Sequence, residues 1–415
     1  MTTSVFDFIF YILIFLSVYV QVFFFVTFLE NRKKIVIRNG KIKLTRYPTI
    51  TIIVSCWNED KTLYKTVRSL LAIDYPKEKL KIFLVDDGST DNTWNLMKSF
   101  EKYSNIQIFH KENGGKYTAI NLGLKHVETE FVACLDADSF VHPQALSRMM
   151  QSFLENKDIM AVIPATIIYN PINFTQSIQK IEYFGSIFVK KMLGFLNGLP
   201  VTPGTLPIYR REVFDKLGGF RKAHNTEDGE IALRMHQHNL RIDYCHDAYV
   251  YTVSPDSLYK LYKQRLRWYY GYIKNLIDYK HLLLRPKFGI LSLLVLPSGI
   301  ISIFSVIVLF IVFISKFINF FAEKIIKVQT IGFNEALHLL KFDWFYFNIK
   351  SISLILLVSY LLIIFFILVG RKMTENQFKP SFYIIFYVVT YSLIAPVWLL
   401  KTVYNVIVSE SPNWR

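Results

Sequence analysis

The chain has only three cysteines in 415 residues, Cys56, Cys134 and Cys245, and they are scattered. With neither C-x-x-C spacing nor an even set, they support no zinc site and no disulfide framework, and they read as buried reduced thiols. His236 and His238 stand two apart on an expected helix, so their rings diverge; they read as surface residues and not as a metal pair. The patterns Gly-x-x-x-x-Gly-Lys-Ser/Thr and Gly-x-Gly-x-x-Gly are both missing, which removes support for ATP hydrolysis and dinucleotide binding. Acidic residues number 32 against 48 basic ones, a formal net charge of +16. Much of that excess flanks apolar segments, where anionic lipid headgroups are a nearer partner than nucleic acid.

Charge is absent from four stretches, 8–29, 288–315, 351–370 and 380–400. Each is roughly 20 residues or longer, enough to cross the hydrocarbon core of a bilayer. The first lacks a basic leader and a small-residue cleavage site, so it reads as a retained span and not a removable signal peptide. It runs into Arg32, Lys33, Lys34, Arg38, Lys41, Lys43 and Arg46. The positive-inside rule then places the N-terminus outside and the polar middle of the chain in the cytoplasm, making a multi-pass protein of the cell membrane. After the second span, Lys316, Lys324, Lys327, Lys341 and Lys350 outnumber Arg371, Lys372 and Lys379 in the following loop, so a re-entrant or interfacial placement stays open for one C-terminal segment. The expected organisation is a span with a basic linker over 1–47, a globular domain over 48–253, an interfacial helix over 254–287, and about three spans over 288–415.

Within the globular part, apolar runs alternate with helical spacing. Strands are predicted at 49–56, 81–85, 106–109 and 130–135, with helices at 61–72, 93–103 and 117–126. This βαβ order predicts a mostly parallel sheet with helices on both faces. Ligands in such sheets sit beyond the carboxyl ends of the strands. Each polar cluster falls at such an end: Trp57-Asn58-Glu59-Asp60, Asp86-Asp87-Gly88-Ser89, Asn113-Gly114-Gly115-Lys116 and Asp136-Ala137-Asp138. Carboxylates at i and i+2 on a strand end suit a hard divalent cation, Mg²⁺ or Mn²⁺, that shares substrate phosphates. The acidic turn also fits plain turn chemistry, with Ser89 capping the next helix. Functionally, a carboxylate there can accept hydrogen bonds from a ribose or a base edge, and the glycine-rich loop allows close approach to an anion.

Further on, 179–197 is an amphipathic segment too charged to span, suited equally to the membrane interface and to a core helix. Thr226 fits a helix cap with Glu227 and Asp228 in the first turn. Ser254-Pro255-Asp256 reads as another helix start. In the helix beyond it, Gln264, Arg267 and Trp268 share a face at i, i+3 and i+4.

Together, Asp86-Asp87-Gly88-Ser89, Asp136-x-Asp138, Thr226-Glu227-Asp228 and Gln264-Arg265-Leu266-Arg267-Trp268 resemble the motifs of processive family 2 glycosyltransferases, the membrane synthases of cellulose, chitin, hyaluronan and poly-N-acetylglucosamine. The 113–123 stretch is most similar to bacterial poly-β-1,6-N-acetylglucosamine synthases. Tyr269-Tyr270 after the Trp, and Pro207 before Arg210, depart from the pattern.

The resemblance implies an α/β, Rossmann-like GT-A domain inserted between transmembrane helices. It implies an inverting transferase that polymerises, and exports, a β-linked polysaccharide from a UDP-sugar, UDP-N-acetylglucosamine before others. Trp57, Glu59, Asp86 or Asp87, and Lys116 would hold the uridine. Asp136 would lie by the ribose and diphosphate, and would bind metal with Asp138. Asp228, beside Glu227, would be the general base. Gln264 and Arg267 would grip the diphosphate, and Trp268 would stack on the acceptor glycan. A homodimer or a small membrane partner subunit would widen the thin channel that four spans provide. The alternative is a non-processive family 2 enzyme moving one sugar to a polyprenyl phosphate or lipid, which would need neither Q-x-x-R-W nor a channel.

Overall fold

The computed structural model describes residues 5–38, 40–331 and 351–412. The loop lysines Lys341 and Lys350 lie outside the described residues, as do the side chains of Lys316, Lys324 and Lys327.

Eight strands form one sheet: β1 (Ile50–Cys56), β2 (Leu80–Asp87), β3 (Ile106–Lys111), β4 (Phe131–Asp136), β5 (Ser139–Val141), β6 (Ile159–Ile168), β7 (Thr205–Arg210) and β8 (Arg241–Thr252). Their order is β3-β2-β1-β4-β7-β6-β8-β5. β1 to β4 are parallel, as the alternating pattern predicts, and β6 runs parallel to β8. β7 enters antiparallel between β4 and β6. Residues on both sides of β1 are fully buried, because helices cover both faces of the parallel half. Ile53, Phe83, Val85, Val132 and Cys134 pack on the face of α4 (Lys116–Lys125), α6 (Phe174–Phe195) and α8 (Glu227–Gln237). Ile52, Val54, Leu84, Ala133 and Leu135 pack under α2 (Leu63–Leu71), α3 (Thr93–Lys98) and α5 (Ala145–Glu155). The strand period of two therefore decides which side chain meets which helix layer. The registers Cys56↔Asp86 and Ser55↔Asp136 bring the acidic strand ends level.

The remaining helices are α1 (Val5–Asn31), α7 (Glu212–Leu217), α9 (Leu258–Asp278), α10 (Leu296–Ile331), α11 (Ser351–Glu375) and α12 (Tyr383–Ile407). Four segments, Tyr11–Lys34, Leu291–Thr330, Leu354–Glu375 and Tyr383–Ile407, are long and apolar enough to cross a membrane. α6 joins this layer to the domain. Phe188 stacks on Phe366 of α11 with centroids 4.3 Å apart, and Phe28 of α1 meets Phe188 at 5.8 Å. One apolar core thus runs from the sheet through α6 into the apolar helices. The basic linker is tied down by Arg38, which donates to both oxygens of fully buried Asp247 at 2.7 Å. Burial would raise that carboxyl; the Arg38 guanidinium overrides it and holds it at about 2.

Several local expectations are corrected. The helix expected over 93–103 stops at Lys98, and i→i−3 turns through Phe100, Glu101 and Tyr103 swing the chain into β3. The helix start read at Ser254 lies three residues later: Ser257 caps α9 by accepting from Lys260 N. Ser254 and Pro255 are held off by α6, whose Gln176 and Gln179 donate to their carbonyls. Ser89 caps no helix, since its hydroxyl accepts from Asn58 N. His236 is buried, not at the surface, with Nε2 2.8 Å from the Leu199 carbonyl. The three cysteines are free and buried, as their spacing suggests.

Candidate active site

The site forms where the carboxyl ends of β1, β2 and β4 meet the starts of α4 and α8. At its centre is Lys116, the first residue of α4. Its ammonium lies 2.6 Å from Asp136 Oδ1, at the end of β4, and 3.0 Å from Glu227 Oε1, at the start of α8. Burial would strip its proton, but Asp136, Glu227 and Asp228 outweigh that and hold it firmly charged. Gly204, in the turn before β7, closes the floor. Its carbonyl accepts from Asp136 N at 2.9 Å, and a Cβ on it would stand 2.6 Å from both Asp136 oxygens and from Lys116 Nζ. Only glycine leaves the carboxylate and the ammonium room to meet.

Two carboxyls here are shifted upward. Burial raises Asp138 to about 7, helped by the charges of Asp136 and Glu59, while the Ser139 hydroxyl donates to it at 3.2 Å. Burial and neighbouring Glu227 raise Asp228 to about 6, opposed by Lys116 and by the Gly229 N–H, 2.9 Å from its Oδ1. The Asp228 backbone is pinned from below, its carbonyl accepting from Thr202 N and Oγ1 at 3.0 and 2.9 Å. Asp228 thus combines a rigid backbone with a carboxyl poised to take a proton near neutrality.

The acidic turn after β2 has a double structural use. Asp86 is fully buried, with His110 Nδ1 at 2.7 Å and Ser89 N at 3.3 Å. Asp87 accepts from Lys111 Nζ at 2.6 Å and from Gly114 N and Gly115 N at 3.1 and 2.9 Å. It therefore shapes the glycine-rich loop that delivers Lys116. Trp57 and Glu59 stand half-buried at the end of β1. Glu59 N donates to Thr93 Oγ1 at 2.8 Å, and its Oε2 accepts from Thr62 Oγ1 at 2.7 Å.

α9 and α6 form the side toward the apolar helices. Gln264, Arg267 and Trp268 are half-buried on α9, and Gln264 Oε1 is buried without a hydrogen-bond partner among the described residues. Arg265, within the same motif but without an expected role, is buried: it donates to Glu182 Oε2 of α6 at 2.7 Å and lies 4.4 Å over the Trp268 ring. Tyr391 of α12 donates to the same Glu182 oxygen at 2.6 Å. Lys190, about two turns further along α6 and under the influence of Asp228, is pulled down to about 8 by burial. Sequence reasoning missed Glu182, Lys190, Gly204 and Arg265. Charged residues on the apolar face of α6 were the available signal, and they are equally consistent with a solvated face.

Among the described residues no group of three or more His, Cys, Asp or Glu gathers at metal-binding spacing. Asp136 and Asp138 nevertheless fit a divalent cation whose remaining ligands are waters and substrate phosphates. The donor set supports the fit: two carboxylates two residues apart at the end of β4, with Asp138 raised first by burial and then by the charges of Asp136 and Glu59.

A parallel half-sheet with acidic strand ends, closed by an antiparallel strand and a carboxylate-bearing helix start, is the arrangement of a GT-A fold. Residues 51–218 match the family described as Glycosyl transferase family 2. Among its relatives is a poly-beta-1,6-N-acetyl-D-glucosamine synthase of Staphylococcus epidermidis, 29% identical over 274 residues, which cover 64% of this chain and 65% of that one. A protein of the same name from Staphylococcus aureus is 31% identical over 224 residues, 54% of each chain. The chain thus matches between about half and two thirds of the length of these curated relatives. A mannosyltransferase from Pyrobaculum calidifontis, solved in complex with GDP-Man and Mn²⁺, superposes with a TM-score of 0.58 at 17% identity, covering 96% of this chain and 99% of its own. That likeness concerns the fold.

Proposed function

We propose that the protein is a membrane-embedded inverting transferase that extends a β-linked glycan from a UDP-sugar, UDP-N-acetylglucosamine before others. The observation that carries the reading is the single ammonium of Lys116 joining Asp136 of the D-x-D strand end to Glu227, next to Asp228. This puts a carboxylate able to act as base beside the carboxylates suited to a diphosphate and its metal. The names of the staphylococcal relatives support the sugar and the polymeric product. The four apolar segments support a multi-pass place in the cell membrane with the sheet domain on the cytoplasmic side, by the charges that follow α1.

In this reading Trp57, Glu59, Asp86, Asp87 and Lys116 hold the nucleoside, the two aspartates by shaping the turn and loop. Gln264 and Arg267 face the diphosphate. Mg²⁺ or Mn²⁺ held by Asp136 and Asp138 would supply further positive charge against the leaving group, the largest usual term in such transfers. Asp228 accepts the proton of the acceptor hydroxyl as its oxygen bonds to the anomeric carbon. The bond from that carbon to the diphosphate breaks on the opposite face, and UDP departs with the electron pair. Trp268 and Tyr269, both half-buried, offer aromatic faces to the growing chain, while Tyr270 is buried. A second copy or a small membrane subunit would complete the path through the bilayer.

The test is UDP release by the detergent-purified protein with Mg²⁺ or Mn²⁺, compared across UDP-GlcNAc, UDP-glucose, UDP-GlcA and GDP-mannose, with the product sized. Release from UDP-GlcNAc with a polymer cut by hexosaminidase is expected. A single glycolipid product, or turnover of GDP-mannose, would instead assign the non-processive activity.

A further inference from the structure

α9 does more than carry Gln264, Arg267 and Trp268. Continuing their stripe at helical spacing are Gly271 and Asn275, and both press on Thr226, the residue before Glu227 and Asp228. Asn275 is buried, and its amide Nδ2 donates to Thr226 Oγ1 at 2.9 Å and to the Thr226 carbonyl at 3.3 Å. Since the carbonyl can only accept, the amide is oriented with its NH₂ toward Thr226, and Oδ1 is left buried without a partner. A polar group paying that desolvation without full pairing marks a site held for geometry. At Gly271 a Cβ would come within 2.2 Å of Thr226 Oγ1, so the helix backbone rests directly on the threonine.

The contacts explain why Thr226 caps α8 by position only. Its hydroxyl makes no cap bond; it donates to the Ala223 carbonyl at 3.0 Å and accepts from Asn275. Its carbonyl, besides serving Asn275, takes the N–H groups of Gly229 and Glu230 at 3.1 and 3.2 Å. The loop feeding it is strained: Ala223, His224 and Asn225 all lie in the left-handed region, at φ 44°, 54° and 64°. Three successive non-glycine residues there cost of order 1–3 kcal/mol each and persist only where surrounding structure over-determines them. α9 supplies that hold, because Asp278, one turn beyond Asn275, takes His224 Nε2 at 2.8 Å.

We propose that Asn275, seated by Gly271, is a positioning residue that fixes the height of Asp228, so that the helix gripping the diphosphate also sets the base. This rests on the reading of Asp228 given above. Substrate held at Arg267 orders α9, and α9 orders the turn that carries the carboxylate.

Amide hydrogen exchange and steady-state kinetics on the full chain in detergent test it. In Asn275→Ala, exchange at 227–230 is expected to quicken several-fold while the interior of α8 is unchanged. kcat for UDP release should fall roughly tenfold or more, with UDP affinity by calorimetry within twofold of wild type. Asn275→Asp, of equal volume, should behave likewise, and carries the test if the alanine variant does not fold. Unaltered exchange at 227–230, or kcat and UDP affinity falling in parallel, would overturn the positioning role. If the wild type releases UDP from no donor, the transferase reading fails, and the exchange pattern alone decides whether Asn275 holds the turn.

Discussion

The Lys116 ammonium lies 2.6 Å from Asp136 Oδ1, although the two residues come from different elements, the start of a helix and the end of the strand after it. With Glu227 at 3.0 Å on its other side, this lysine is the hinge point of the acidic site. Lys116→Met leaves Asp136, Glu227 and Asp228 facing one another without a cation. The proton affinity of Asp228 should rise, because the group that opposes its burial is gone. The acid limb of the pH–rate profile should move to higher pH in this variant; an unmoved limb would separate Lys116 from the base.

In the proposed transfer Asp228 must be ionised to accept a proton, and burial, with neighbouring Glu227, raises it to about 6. UDP release into polymer should therefore rise as pH increases through about 6 and be lost below it. Asp228→Asn should bind UDP normally and lose transfer by about 10²–10⁴-fold, read by calorimetry and product assay.

Stability carries the opposite sign. Asp138 and Asp228 are raised in the folded state, to about 7 and 6, so between their ordinary range near 3.8 and those values the folded chain binds more protons than the unfolded chain. The metal-free protein should lose stability as pH rises from 4 toward 7, measured by thermal unfolding with chelator. Mn²⁺ should reverse the loss at neutral pH if Asp136 and Asp138 bind it.

Gly204→Ala tests the floor. A Cβ would stand 2.6 Å from both Asp136 oxygens. The fold should lose about 1–3 kcal/mol, while displacement of the Asp136 carboxylate should cost roughly 10²-fold in turnover. Wild-type kinetics in this variant would show that Asp136 need not stay where it is.

Away from the site, Arg38→Ala removes the partner of a fully buried carboxylate. Breaking such a pair costs about 3–5 kcal/mol, and the partial exposure of Arg38 favours the lower end. Chemical denaturation should register it, with the donor profile unchanged.

The sequence by itself determined the parallel half-sheet, because apolar runs of strand length alternating with helical spacing have few other ways to bury themselves. It also placed Asp86, Asp136 and Lys116 at one edge, since strand ends in such sheets are level, and it marked four segments as membrane-length by their want of charge. Tertiary structure alone decided what those residues touch. Asp86 and Asp87 look alike on paper, but successive side chains on a strand point to opposite faces, so Asp86 meets His110 while Asp87 builds the Lys116 loop. Local capping rules misplaced the start of α9 and the role of Thr226, because buried amides of Gln176, Gln179 and Asn275, distant in sequence, claim those backbone groups first. Glycines 204 and 271 gave no local signal at all. Each is required by a contact with a side chain from another element, and such contacts exist only once the chain has folded.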